Sequence, residues 1–534
     1  MNNVVQQESE GEEKYREDEI EDVPDLIVPD EEEKRLGKRP PLITIILLSI
    51  GPLISQIVNA LYGLVDSLWV AKSIGPKGVA VFGAVYVVEF ISVSVSQYLS
   101  NSLSARVSYL FGQQQGDKCG QLYVDFLRFS ILLAILVPSV VLPITKPLVI
   151  WFGADKELAQ SCLYYMIPRT CGSFINFIYM IGCGLVQAQG RALLYACVQA
   201  SSFILNMAVF DPLFLLGFRT PIWGASLATV CSELFAGTFL VIMAFRGKLS
   251  IYPQCKMFIL PFSKQTFSAL RVGFSSFIQN ISLTLPVLLM QKYYNSAAQH
   301  IGIYDIAIQI WAVIEKLYQI VGGICIAFSQ GLLPTASYAY GAGRLNRVSR
   351  LIIHAYWLST ALSTLFSIFM IALPKQISSI WSKDPDFLYW AKKLVPVTYY
   401  SAPFFSMQYI APTVLQSMKR VLPSTLLSIL TLLLPIPVFS SILYFTNKNS
   451  PKRILFTYTL NDAYSCVVSI FFLIKPMKLL CNSEKSNSGE FSRETSPDVS
   501  IVDENESDSE NEDVGVDVED TNNRISEDKK GNQV

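Results

Sequence analysis

Histidine, paired cysteine and acid are what this sequence is short of. Its 534 residues include only two histidines, His300 and His354, too far apart in the chain to suggest a zinc site. The ten cysteines are scattered, with no C-x-x-C pair; Cys171 and Cys183 read as small core residues, so no disulfide framework is expected. There is no G-x-x-x-x-G-K-[ST] loop to cradle ATP phosphates, which argues against an ATP-driven pump on this chain alone. H-E-x-x-H, G-x-S-x-G and a T-V-G-Y-G filter loop are also missing. The D-x-D in "KDPDF", 383–387, reads as a turn in a short connector, not as a transferase site. No catalytic residue is assigned, and an enzyme is not expected.

Charge is scarce and unevenly placed. Charged residues make up 16% of the chain, where an ordinary soluble protein carries about 25%. Residues 1–40 hold 14 acids and 6 bases, and residues 482–534 hold 16 acids and 5 bases. The body between is left with 13 acids and 31 bases, the balance that insertion into lipid favours. The opening "MNNVVQQESEGEEKYREDEIEDVPD" is polar and lacks the apolar stretch of a secretory signal. Targeting is therefore expected to fall to the first membrane helix.

Long apolar runs are what the body does contain. A spanning helix needs about 20 mostly apolar residues. Twelve such stretches are predicted, at 42–70, 78–103, 122–145, 160–187, 192–217, 223–245, 268–291, 302–333, 350–373, 387–416, 422–445 and 453–474. The expectation is an all-α polytopic membrane protein. It comprises a disordered acidic tail at 1–40, a six-helix lobe at 41–245, a linker at 246–267, a second six-helix lobe at 268–475 and a disordered acidic tail at 476–534. An even number of crossings puts both tails on one side. The excess of Lys and Arg near the helix ends of that side makes it the cytoplasmic one. The C-terminal tail, "SIVDENESDSENEDVGVDVEDTNN", has the composition of a disordered segment, with Ser507 and Ser509 set among acids.

The halves repeat. "SYLFGQQQGD" at 108–117 aligns with "SYAYGAGRLN" at 337–346, an offset of 229 residues. The same offset lays "LVQAQGR", 185–191, on "VLQSMKR", 414–420. Six helices per repeat is even, so the two lobes cross in the same sense and are related by an axis near the membrane normal.

Seven carboxylates fall inside the predicted spans, away from their obvious ends: Asp66, Glu89, Asp211, Glu233, Asp305, Glu315 and Asp462. An ionised group at the bilayer centre costs several kcal/mol, so each needs a cavity, a partner or an ion. Glu233, Asp305 and Asp462 read as structural pairs or helix-end residues, Glu233 lying upstream of Arg246, at the end of the same span. Asp66 shares a polar helix face with Asn59, Tyr62 and Gly63, a stripe suited to an aqueous cavity. Asp211 precedes Pro212, whose missing N–H frees a backbone carbonyl beside the carboxylate. Oxygen donors at a broken helix suit sodium or a proton. The aromatics around the tenth span, Tyr399, Tyr400, Phe404, Phe405 and Tyr409, offer either cation–π faces or packing.

Several stretches together resemble the multidrug and toxic compound extrusion (MATE) family. They are "LVDSLWVAKSIGPKGVAVFG", "SARVSYLFGQQQGD", "LVQAQGRALLYACVQASSFILNMAVFDPLF", "PIWGASLATVCSE" and "LLPTASYAYGAGRLNR", and the resemblance covers about residues 42–475. It implies two six-helix lobes forming a V around a cavity, with sodium or protons exchanged for organic, often cationic, compounds. It also implies a cation site in the first lobe. Asp66 resembles the first-helix aspartate, Asp211 and Asn206 the fifth-helix pair, and Thr229 the sixth-helix hydroxyl donor.

Two departures bear on that site. Asn206 and Asp211 are five residues apart, where the family pattern has four, so Asn206 leaves the face of Asp211 unless Pro212 or a local bulge compensates. The seventh span carries Gln279 and no acid, and the tenth has none, which leaves Glu315, with Glu89, as secondary coupling candidates. Tyr62, Gln279 and Tyr400 are the candidates for the substrate cavity.

The expected partners are a small organic molecule, the bilayer and a coupling H⁺ or Na⁺ at Asp66 and Asp211. No other cofactor, no structural metal and no nucleic acid is expected, and the chain is expected to act as a monomer. The setting is a plasma or organelle membrane. A lipid-linked sugar flippase of the same superfamily is the alternative, disfavoured because the arginines lie at helix ends. An intramembrane transferase ranks behind it.

Overall fold

Membrane-length helices form here along the long apolar runs, several of which begin at proline or at a capping side chain. A computed structural model describes residues 30–151 and 155–494, and among them every regular element is helical. The acidic stretches 1–29 and 495–534, with Ser507 and Ser509, lie outside the described residues. The chain divides into two units, Met1–Lys485 and Ser486–Val534, and every contact below belongs to the first.

The first lobe begins with α1 (Pro41–Ser73), α2 (Pro76–Gly112) and α3 (Lys118–Trp151). It continues through α4, built from Lys156–Cys171 and Ser173–Ala188, α5 (Ala192–Gly217) and α6 (Trp223–Phe245). The second comprises α7 (Lys264–His300), α8 (Tyr304–Gly341), α9 (Leu345–Ala372), α10 (385–417), α11 (Val421–Thr446) and α12 (Pro451–Glu494). Proline opens α1 and α2, where its missing N–H costs nothing. Asp155 and Ser263 cap α4 and α7 by accepting from Leu158 N at 2.7 Å and Thr266 N at 3.2 Å.

Nine helices are long and apolar enough to cross a membrane among the described residues. Two further spans, α2 and α4, are bent by 49° and 52°. The predicted span 387–416 departs most from a plain helix. It runs as Pro385–Leu394, a 3₁₀ segment Val395–Tyr399, Ala402–Phe405 and Met407–Ser417. Pro396 and Pro403 lack the N–H that a continuous helix needs, so α10 breaks around them.

Both tail boundaries need correction. The last helix continues to Glu494, past the expected boundary at 475. Residues 30–38, expected to be disordered, are helical and act as a strap across the lobes. Glu32 is fully buried, accepting from Ser250 Oγ at 2.7 Å and lying 3.7 Å from Arg191, both of the first lobe and linker. From the second lobe, Arg347 donates to the Leu36 carbonyl at 2.8 Å and the Arg39 carbonyl at 2.8 Å, while Arg344 reaches Glu33 at 3.2 Å. The linker is also held. Buried Asp125 on α3 accepts from Ser263 N at 2.8 Å and Thr266 Oγ1 at 2.7 Å.

The tightest approaches between lobes fall in their tail-side halves. A Cβ added to Gly112 would run into the Tyr338 carbonyl, and one on Gly341 into the Tyr109 carbonyl. Tyr98 donates to the Leu270 carbonyl at 3.1 Å, and Gln187 to the Gln330 carbonyl at 2.8 Å. Lys419, in the turn after α10, stands over the Tyr109 ring at 3.2 Å, with Arg106 over the same ring at 5.1 Å. At the far end Lys292 meets the Trp151 ring at 5.6 Å.

Gly112→Val should insert into the membrane yet lose transport, because its side chain has no room on the tail side; retained transport would show that this seal is not used. Burial, and then the charge of Arg106, push the Lys419 ammonium down to about 8. Between there and its ordinary value of about 10.4, the sealed arrangement binds fewer protons than one with Lys419 in water. Raising the pH through that window therefore favours the seal. Spin labels at Asp117 and Asn346 should report a larger closed fraction near pH 9 than near pH 7, and Lys419→Met should flatten the trend.

Candidate cation site

The fifth helix changes winding where the candidate residues lie. Asn206–Phe210 is a π-helical turn, with the Asp211 N–H bonded to the Asn206 carbonyl, and a second π segment, Pro212–Gly217, follows. Bonding from i to i+5 brings residues five apart onto one face, which restores the register that a regular α-helix would have lost. Of the two readings open in the sequence, a bulge that compensates and a side chain that turns away, the structure has the first.

Asn206 then bridges two carboxylates. Its Nδ2 donates to Asp66 Oδ1 at 3.0 Å and to Asp211 Oδ2 at 3.2 Å. Asp66 is 5% exposed, and Asn206 and Asp211 are fully buried. Asp211 Oδ1 and Asn206 Oδ1 are buried with no hydrogen-bond partner. Among the described residues no basic group lies in ion-pair reach of either aspartate. Two carboxylates and an amide oxygen form a set of hard donors that suits a proton or a small oxygen-seeking cation. Thr229 is beside them but donates to its own helix, to the Ala225 carbonyl at 3.3 Å. Tyr62 packs on Phe203 at 5.7 Å between ring centroids, and its buried hydroxyl faces Thr229 and Asp66. It belongs to the carboxylate cluster and not to an inter-lobe cavity, where it was expected.

A charged cluster stands next to this one. Arg169 on α4 donates from Nε to Glu89 at 2.8 Å and from Nη1 to both Glu233 oxygens at 2.9 and 3.0 Å. Arg169 and Glu233 are buried, while the Glu89 side chain is 22% exposed. Glu89 is thus a salt-bridge partner, and Glu233 pairs with Arg169 rather than with Arg246. Arg169 was missed in the sequence, although an arginine in the apolar span around "MIPRTCG" is open to the same reasoning that singled out the acids.

The other candidates scatter. Glu315 is half-buried on α8, accepts from Gln319 at 3.4 Å and makes no ion pair with Lys316. Asp305 sits in the first turn of α8, a helix-end position as expected. Gln279 lines a cavity of ≈ 30 Å³ between the lobes, with Asn101, Asn280, Gln330, Tyr409 and Gln416. That is room for about two waters. Tyr400 is half exposed near Phe456 and does not line this cavity. Of the aromatics around α10, Tyr399, Phe405 and Tyr409 are core residues.

The MatE family profile matches residues 52–212 and again 272–439, one copy in each lobe. Named relatives include the probable multidrug resistance protein YoeA of Bacillus subtilis, 20% identical over 396 residues, 72% of this chain and 82% of that protein. The multidrug export protein MepA of Staphylococcus aureus is 20% identical over 415 residues, 77% of this chain and 89% of its own. Among solved structures, a MOP superfamily transporter from Pyrococcus furiosus superposes with a TM-score of 0.76 at 17% identity, covering 85% of this chain and 99% of that one. An outward-facing multidrug resistance MATE family transporter gives 0.75 at 17% identity, covering 87% and 100%. These likenesses show the fold, with its twelve spans in two six-helix lobes.

Removing the buried guanidinium while both carboxylates stay should cost about 3–5 kcal/mol. Arg169→Met should therefore lower the thermal midpoint of the purified protein sharply, and Arg169→Met with Glu89→Gln and Glu233→Gln should recover much of the loss. An unchanged midpoint in the single variant would contradict the pairing.

Proposed function

The chain belongs to the MatE family, and from that premise we propose that it is a secondary antiporter exporting organic, often cationic, compounds in exchange for H⁺ or Na⁺ held by Asp66, Asn206 and Asp211. The observation that carries the exchange site is the Asn206 amide between two buried carboxylates, with two oxygens left unpartnered.

The mechanism follows from the cost of charge in a low-dielectric lobe. With the cation bound, or a proton shared, the pair carries one negative charge instead of two, and α1 and α5 close around it. When the cation leaves, two anions face each other without a basic partner, and the arrangement relaxes by moving one helix against the other. The π turn of α5 is a segment whose hydrogen-bond register can shift. α1 is also an interface helix, packing against α8 around Ser49 and Gly331. Movement at Asp66 is thereby passed to the contact between the lobes. The organic substrate enters between the lobes when they part, against the polar lining that includes Asn101 and Gln279. Cation and substrate compete through the lobe arrangement, each favouring the state to which it binds better.

On this reading both tails are cytoplasmic, the protein works as a monomer in a plasma or organelle membrane, and Glu315 is the secondary coupling residue, Glu89 being held by Arg169. It catalyses no covalent chemistry and binds no nucleic acid.

Purified protein in liposomes, given an imposed H⁺ or Na⁺ gradient, should move a fluorescent organic cation, and the effective gradient names the ion. Asp66→Asn should reduce gradient-driven flux by about tenfold or more. Undiminished flux in that variant would remove Asp66 from the exchange site.

A further inference from the structure

One buried acid has no part in the exchange site just described. Asp462 lies well inside α12, 1% exposed, and is neither at a helix end nor paired with a base, contrary to the structural role its sequence position suggested. It faces the break in α10. Ser401, in the turn between the 3₁₀ segment and the next helical piece, donates to Asp462 Oδ2 at 2.5 Å. Gln408 and Asn461 each donate to Oδ1 at 3.4 Å, and Asn461 also bonds Gln408 Oε1 at 3.1 Å. Asn461 Oδ1 is buried there without a partner.

Around this cluster stands an aromatic wall. Tyr318 of α8 meets Tyr458 at 4.4 Å and Phe405 at 5.0 Å between centroids, and Phe405 meets Tyr409 at 5.4 Å. The titratable groups facing Asp462 are Tyr318 and Cys325 from α8, Tyr409 from α10 and Tyr458 from α12. None of them brings positive charge. A fixed hydrogen-bond hub would be served as well by an uncharged acceptor, without the cost of burying an anion. What a carboxylate adds at such a place is the exchange of a proton.

We propose that Asp462, with Ser401, Gln408 and Asn461, is a proton-binding site in the second lobe, separate from the Asp66–Asp211 pair. The parallel with the first lobe is physical. In each, an irregular helix segment meets a buried carboxylate that has carboxamide donors and no basic partner. At the site the Asp462 carboxylate takes a proton from water and becomes the neutral acid, and it returns that proton on release.

The test is infrared difference spectroscopy of the full-length protein between high and low pH, reading the C=O stretch of protonated carboxyl groups. The measurement needs no substrate, so it is independent of whether Asp66 drives transport. A variant carrying Asp66→Asn and Asp211→Asn should keep the C=O component of a buried acid, and adding Asp462→Asn should remove that component while the bands of the remaining acids stay. Ser401→Ala keeps the acid but takes a donor from its ionised form, so the band should persist with its midpoint moved to higher pH. A difference spectrum unaffected by Asp462→Asn would overturn the proposal by showing that Asp462 exchanges no proton. A band that Na⁺ removes at constant pH would overturn the proton assignment in favour of a sodium site.

Discussion

Two carboxylates that share one amide, buried with no base to pair them, set the terms for the first lobe. Asp66 and Asp211 are stable together only while something neutralises them, because an isolated anion in such surroundings costs several kcal/mol. Asn206 offers two donors and leaves one carboxylate oxygen and its own carbonyl unpartnered. The π turn that aims Asn206 at both acids is therefore more than an irregularity. It brings Asn206 of α5 onto both acids, while α1, carrying one of them, also packs against the second lobe.

The lobe treats its other buried charges in the opposite way. Glu89 and Glu233 are held by Arg169, a permanent cation with three bonds in a planar fork. That cluster is self-contained and has no need of an outside ion. The contrast separates a framework of paired charge, suited to holding helices in register, from a pair of acids that no base partners. The second lobe repeats the latter situation with a single acid at the break of α10.

Closure on the tail side rests on backbone proximity at Gly112 and Gly341 and on the strap of residues 30–38. The strap is bonded to both lobes, so any motion that parts them on that side must break the bonds of Arg344 and Arg347 or those of Glu32. A segment whose composition speaks for solvent is ordered because three arginines, Arg191, Arg344 and Arg347, converge on its carboxylates and carbonyls. Their convergence is a property of the folded lobes.

The apolar runs of the body were enough to establish a twelve-span membrane protein, and the shared offset of "SYLFGQQQGD" and "SYAYGAGRLN" was enough to show two like-oriented halves. Asp66 and Asp211 were legible for the same reason, since an acid in an apolar run stands out by its cost. Local sequence could not settle the aim of Asn206, because five-residue spacing yields one face or two according to helix winding, and winding is chosen by what packs around it. Nor could it show that Glu233 finds Arg169 in preference to Arg246, that Tyr62 turns inward, or that Asp462 meets Ser401 and Gln408, residues 61 and 54 positions away in the chain. Hydrophobicity is summed along the chain and can be read there. Neutralising a buried charge depends on which distant donors reach it, and only the tertiary structure decides that.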